Sequence, residues 1–302
     1  MDYLKNFKSS FFLSDFKTKL RLSFFLLSPL AIFSSNLSAQ KVSSFELLPK
    51  GRLFKALYLD PNEAQAYGSI TTFSEKNTLF ADTVYLPFGF GFFKGLFRWN
   101  KKHPVEIGMS FSVHAQFQWT FEEGKFSRDL QNTDYKVGLM VNYQISDVQQ
   151  IRFRLYHVSS HPGDDFLIKN QVTSYFVNPN NYEQLDVFYS QYVGMFRFYG
   201  GLGMVVRPNS IRDRFSFAFG SAFDKPLKSS LPLGFIGGAN VKVLEQNNYN
   251  PGMKIGAGLR LGQQEKKPLK FIFEYYRGNL PYSPYEDRHV QWLGLSLYFS
   301  PN

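Results

Sequence analysis

The sequence predicts an all-β fold, a transmembrane antiparallel up-and-down β-barrel of about twelve strands. Three observations predict it. Period-2 alternation of apolar and polar residues dominates from about residue 64 onward. The alternating stretches outrun the usual globular strand of about 5–6 residues. The composition holds 34 Phe, 18 Tyr and no Cys, yet only 19% of residues are charged and the mean hydropathy is −0.25. So much aromatic surface excludes a disordered chain. The missing thiols exclude a disulfide scaffold, a Cys zinc site and a Cys nucleophile.

The first element is a leader. Lys17, Lys19 and Arg21 precede the apolar run Leu22–Phe33, and small residues follow to Ala39. That order reads as a secretory signal peptide over 1–39. A transmembrane anchor needs about 20 apolar residues, and this run is shorter and interrupted by Pro29. Removing 1–39 lowers the formal charge from +10 to +7, because five basic and two acidic side chains leave. The exported chain stays basic. Export and the lack of a clustered Lys/Arg run argue against nucleic acid. Outer-membrane lipids, lipopolysaccharide or a small anion suit the compartment, the bacterial outer membrane, better. Residues 40–63 are expected to form a periplasmic N-terminal segment, and 64–302 the barrel.

The strands follow at 64–73, 85–98, 105–122, 134–145, 150–161, 183–192, 196–206, 213–223, 232–244, 252–262, 268–277 and 288–299. The clearest is 105–122, where Val105, Ile107, Met109, Phe111, Val113, Ala115, Phe117, Trp119 and Phe121 share one face. Links on the N-terminal side are mostly short. Those on the other side, including 123–133 and 162–182, are mostly longer, as in outer-membrane barrels. Trp99, Trp119, Tyr135, Tyr143, Tyr275 and Trp292 lie near strand ends and are expected in the interfacial girdles. In lipid no backbone group can go unpaired, so the strands must close. A soluble sandwich also alternates, but its outer face is wet.

This phasing turns Lys136, Arg152, Arg154, Arg197, Lys242, Lys254, Arg260 and Lys270 inward, against the acids Glu106, Glu122, Asp186 and Glu274. Arg152, Arg154, Arg197 and Arg260 are the expected lumen residues of a narrow, anion-preferring channel. The alternative is that the charges pair and fill a narrow barrel.

One outward face is broken. After Ile151, Phe153 and Leu155, the same side continues as His157, Ser159 and His161. Polar groups facing hydrocarbon are costly, so they sit at the interface or do work. Residues two apart on a strand stand side by side, within reach for imidazole to take a serine proton. This His157-Val158-Ser159 pair resembles that of the barrel lipid hydrolases outer membrane phospholipase A and lipid A deacylase. The resemblance implies Ser159 as nucleophile, His157 as base and a third orienting residue. Asn170 is the first candidate for it, beside Gln171, Asp164 and Asp165. Ser160-His161 follows here, where the phospholipase has Asn-Gly. The plainer reading is an interfacial His and two Ser entering the polar turn His161-Pro162-Gly163-Asp164-Asp165. His161, Asp164 and Asp165 also form a candidate cation site, for which calcium is the natural ion. No other cofactor is implied.

More of the chain resembles the bacterial domain-of-unknown-function family 1207. Leu48-Pro49-Lys50-Gly51-Arg52-Leu53-Phe54, Leu59-Asp60-Pro61, Ser159-Ser160-His161-Pro162-Gly163-Asp164-Asp165 and Tyr282-Ser283-Pro284-Tyr285 carry the resemblance, over about 45–299. It implies an exported outer-membrane-type barrel and no mechanism. Three functions follow as expectations: an outer-membrane barrel of uncharacterised role, an outer-leaflet lipid or lipopolysaccharide acyl hydrolase, and the anion-preferring channel.

Overall fold

The alternation becomes a closed wall. The computed structural model describes residues 44–75, 83–122, 124–169, 171, 181–208, 212–228, 231–264, 266–282 and 286–299; the expected leader lies outside them. The described strands are β1 (Phe45–Leu47), β2 (Ala66–Ser74), β3 (Thr83–Trp99), β4 (Val105–Glu122), β5 (Lys125–Ser146), β6 (Gln149–Pro162), β7 (Tyr182–Val193), β8 (Phe196–Val205), β9 (Phe215–Pro226), β10 (Leu233–Leu244), β11 (Gly252–Leu261), β12 (Leu269–Asn279) and β13 (His289–Phe299). Each of β2 to β13 pairs antiparallel with its sequence neighbours, and β13 pairs with β2, so twelve strands close on themselves. The short β1 is a thirteenth piece on the edge of β3. Closure leaves no sheet edge to satisfy in lipid.

Parity decides which side chains meet lipid. On β5, Tyr135, Val137 and Leu139 are exposed while Lys136, Met140 and Asn142 are buried. On β12, Phe271 and Phe273 are exposed while Ile272 and Glu274 are buried. Two expectations need correction. The segment 123–133 is no long loop: β4 and β5 form one extended hairpin, with Glu122 opposite Lys125 and a register shift at Gln116/Phe117 that absorbs an extra residue. Trp292 is no girdle residue. It shares parity with Val290 and Tyr298, so it points inward and stacks on Tyr276 with ring centroids 3.9 Å apart.

The chain ends of the barrel, β1 and the end of β13, lie at the rim of the shorter turns, here the inner end. At that rim β1 occupies the slot beside β3 that β2 does not reach: Phe45 faces Trp99, whereas β2 begins its pairing at Tyr67 opposite Gly89. Between β1 and β2 the chain leaves the wall and enters the lumen. Phe54 and Leu57 pack with Phe188, Tyr199 and Ala218 from β7, β8 and β9. Tyr58 packs against Tyr67, Ile236, Ile272 and Tyr298. Residues 48–65 are therefore a plug, and a short helix-like turn holds it, with Asp60 N–H on the Leu57 carbonyl at 2.7 Å. Glycine makes room for its passage. A Cβ on Gly91 would stand 2.9 Å from the Gln65 amide nitrogen, and one on Gly95 would stand 2.9 Å from the Pro49 ring. At the outer end, Phe73, Tyr85, Tyr276, Leu280, Tyr282, Val290 and Trp292 fill the lumen as an aromatic cluster.

Candidate functional site

Two sets of polar residues, one on each side of the wall, were singled out by sequence. The inward set meets the plug. Glu63, buried in the plug, accepts from Arg152 Nη1 at 2.8 Å and stands 3.5 Å from Arg154 Nη1. Arg154 also holds Asp186, at 2.5 Å from Nη2. Lys136 and Lys242 donate to the backbone and side-chain oxygens of Asn62, each at 3.1 Å. Arg197 Nη1 donates to the Ala56 carbonyl at 2.9 Å. Arg260 Nε lies 2.9 Å from Asp224, and Lys254 lies 2.9 Å from Glu274. Glu106 accepts from Arg98 Nε at 3.1 Å and from Asn142 at 2.9 Å. The side chain of Glu122 lies outside the described residues.

The expected lumen arginines thus face inward, and they are spent on structure. Burying a cation is tolerable only with a partner, and the plug brings the acid that the wall lacks. Among the described residues, the gaps beside Pro61, Asn62 and Asp60 measure only about 20, 10 and 10 Å³. Sequence reasoning missed Glu63. The available signal was a surplus of inward cations next to a non-alternating, leucine-rich segment that carries Asp60 and Glu63.

The outward set lies near the outer end of β6. Ser159 Oγ is 3.0 Å from His161 Nε2, and both are open to the surroundings. The ring of Tyr135, which faces Ser159 across the ladder, stands edge-on to the His161 ring with centroids 5.7 Å apart. His157 turns the other way: its Nδ1 is 2.9 Å from Glu183 Oε1 on β7, its register partner. The serine is therefore flanked by two histidines on one face and hydrogen-bonds the one that follows it. The strand explains the geometry, since positions i−2 and i+2 are equally near to residue i. Glu183 was not anticipated. It lies opposite His157 only once β6 and β7 are in register.

The remaining expected residues are dispersed. Asn170 lies outside the described residues. Gln171 follows α1 (Asp164–Lys169), with its N–H on the Ile168 carbonyl at 3.1 Å. Asp164 and Asp165 occupy the first turn of that helix, and Asp165 accepts from the Leu130 N–H at 3.2 Å. Of the expected cation set, Asp165 holds the Leu130 N–H from the first turn of α1, while His161 stays on the outward wall with Ser159. Among the described residues no group of three His, Asp or Glu stands close enough to hold an ion.

No curated protein matches the chain. Among solved structures, outer membrane phospholipase A from Escherichia coli is similar, with TM-score 0.51 and 13% identity over 78% of this chain and 90% of that one. An active-site mutant of the same phospholipase gives TM-score 0.52 and 13% identity over 83% and 95%. The calcium-bound dimer of the Salmonella typhi phospholipase gives TM-score 0.50 and 12% identity over 78% and 90%. At such identities the likeness establishes an outer-membrane-type barrel fold and nothing finer. The model of the family described as protein of unknown function, DUF1207, matches residues 30–300, and the chain belongs to that family.

Proposed function

We propose that this outer-membrane-type barrel is an acyl hydrolase acting on lipids of the leaflet that surrounds its outer end, with Ser159 as nucleophile. The observation that carries the reading is the 3.0 Å contact between Ser159 Oγ and His161 Nε2 on the outward wall. Exposed polar side chains on a lipid-facing strand cost free energy unless they serve a purpose. A serine hydroxyl in contact with a neutral imidazole is an activated nucleophile. The likeness to a barrel phospholipase supports the reading only in that such a wall hosts lipid hydrolysis in that protein.

In this mechanism Ser159 Oγ attacks the ester carbonyl while His161 Nε2 takes the hydroxyl proton. The tetrahedral intermediate collapses to a seryl ester, and His161 returns the proton to the departing alcohol. Water then attacks the seryl ester with His161 again as base, releasing a fatty acid and restoring Ser159. Tyr135 limits the swing of the His161 ring. His157, oriented by Glu183, is the second base within reach if the serine hydroxyl rotates. The plug and the aromatic cluster fill the middle and the outer end of the lumen.

The test is fatty-acid release from phospholipid or lipid A in mixed micelles by the purified protein. Wild type should release fatty acid, and Ser159→Ala should lower the rate by about 10³-fold or more. His161→Ala should cost about 10²–10⁴-fold, as expected for a general base, and His157→Ala much less. Equal release by wild type and Ser159→Ala, or none by either, overturns the proposal.

A further inference from the structure

At the inner end, between the plug and the wall, lies a larger cavity of about 370 Å³. That lies within the range of small-molecule pockets, about 300–1,000 Å³. Its lining is strongly basic: Arg52, Lys55, Arg197, Lys267 and Lys270 against the single acid Asp224. Asp224 is already taken, since Arg260 Nε donates to its two oxygens at 3.0 and 2.9 Å. The net field in the cavity is therefore positive, and low-dielectric walls focus it.

A second observation is independent of that charge. Arg197 is only 5% exposed. Its Nε donates to Ser190 Oγ at 2.7 Å and its Nη1 to the Ala56 carbonyl at 2.9 Å, but its buried Nη2 has no partner. The hydroxyl of Tyr192, another lining residue, is buried and equally without a partner. Buried donors are almost always satisfied, and leaving a charged one unsatisfied is costly. Both groups belong to residues that line this cavity, and each has bonding capacity to spare for an acceptor.

We propose that this cavity binds the phosphomonoester group of a small organic molecule. A compact dianion would accept from Arg197 Nη2 and the Tyr192 hydroxyl, with Arg52 and Lys270 neutralising the second charge. Guanidinium groups match phosphate oxygens in geometry as well as charge. The rings of Tyr58 and Tyr192 form flat walls for the organic part, as aromatic faces do in sugar and nucleoside sites. Lys270 Nζ already lies 4.8 Å over the Tyr58 ring, which sets the cation beside the wall. The phosphate can come from a free sugar phosphate or from a phospholipid headgroup. The site lies across the barrel from Ser159 and does not depend on the hydrolase reading.

The experiment is calorimetric titration of the full chain in detergent micelles with glucose 6-phosphate. Glucose and glucosamine are the neutral and cationic controls, and dihexanoyl phosphatidic acid is the headgroup arm. Saturable binding of glucose 6-phosphate, with none of either control, is the expected result. Arg197→Gln should weaken it at least tenfold. Because Arg197 also holds the plug, Lys270→Gln at the half-buried rim is the second variant, expected to weaken binding several-fold without disturbing heat-dependent gel mobility. Saturable binding of the phosphatidic acid alone, lost in the same variants, supports the site and identifies a headgroup as its source. No saturable binding of either phosphate, or binding that neither substitution changes, overturns the proposal.

Discussion

The two faces of β6 share a backbone and little else. Inward, Gln150, Arg152, Arg154, Tyr156, Val158 and Ser160 are all buried, and Arg152, Arg154 and Ser160 have charged partners in Glu63, Asp186 and Asp134. Outward, Phe153 and Leu155 are exposed to the membrane side, and His157, Ser159 and His161 follow at the outer end. On the inner face each of the two arginines has an acid brought to it by a neighbouring strand or by the plug. On the outer face the apolar residues meet the membrane side, and the polar ones pair with one another or with Glu183. The difference teaches that the buried charges of β6 are tied to the wall and the plug, whereas the polar groups at its outer end pair along the outward surface.

The sharpest break of that comparison is on the outside. Ser159→Ala should remove at least about 4 kcal/mol of transition-state stabilisation, a 10³-fold loss, and leave the unfolding midpoint unchanged. A large loss of stability instead would make Ser159 a structural residue and erase the contrast. Next in size is Glu63→Ala. It strands Arg152 and leaves Arg154 with Asp186 alone, at a cost of about 3–5 kcal/mol. Urea unfolding in micelles should show it as a lower midpoint, whereas a change of about zero would mean that the plug is not held by its ion pairs. Leu155→Arg puts a charge on the wrong face and should cost about 2–4 kcal/mol in lipid if that position sits near the bilayer midplane. A neutral result would move the membrane boundary inward along β6. The smallest effect belongs to Glu183→Gln. The pair with His157 is nearly half exposed on each side, so thermal unfolding should shift by less than about 1 kcal/mol. A larger shift would mean that this outward pair is structural after all.

Much of the wall was legible because strand parity is a strict rule. Once Val137 and Leu139 face out, Lys136 and Met140 must face in, and the lumen arginines were placed on the same count. The plug was not legible. Residues 48–65 carry no period, and they are buried by a wall assembled from residues far along the chain. Tyr58, for example, donates to the Gly237 carbonyl at 2.5 Å. The hydrophobic pattern reports burial only where it repeats. In the outward cluster, sequence spacing put Ser159 and two histidines on one face but did not say which histidine the serine bonds. His157 and His161 are equally spaced from Ser159, and the choice between them depends on Glu183 and Tyr135, which reach the cluster only through strand pairing. Trp292 failed for the opposite reason: its place near a strand end suggested an interface, while its parity, already fixed by Leu293 and Leu295, pointed to the lumen.

The plug leaves the wall at β1 and rejoins it at β2, and both strands are bound to the same edge of β3. It is leashed at both ends. A segment so held docks at a high effective concentration, because the cost of bringing it to the lumen is a loop closure rather than an encounter between free molecules. The contacts that seat it, the two bonds to Asn62 among them, need not also capture it from solution. The same residues supplied as a separate peptide would have to overcome the translational entropy that the leash removes, so this barrel's stopper works as part of the chain and would be a poor one apart from it.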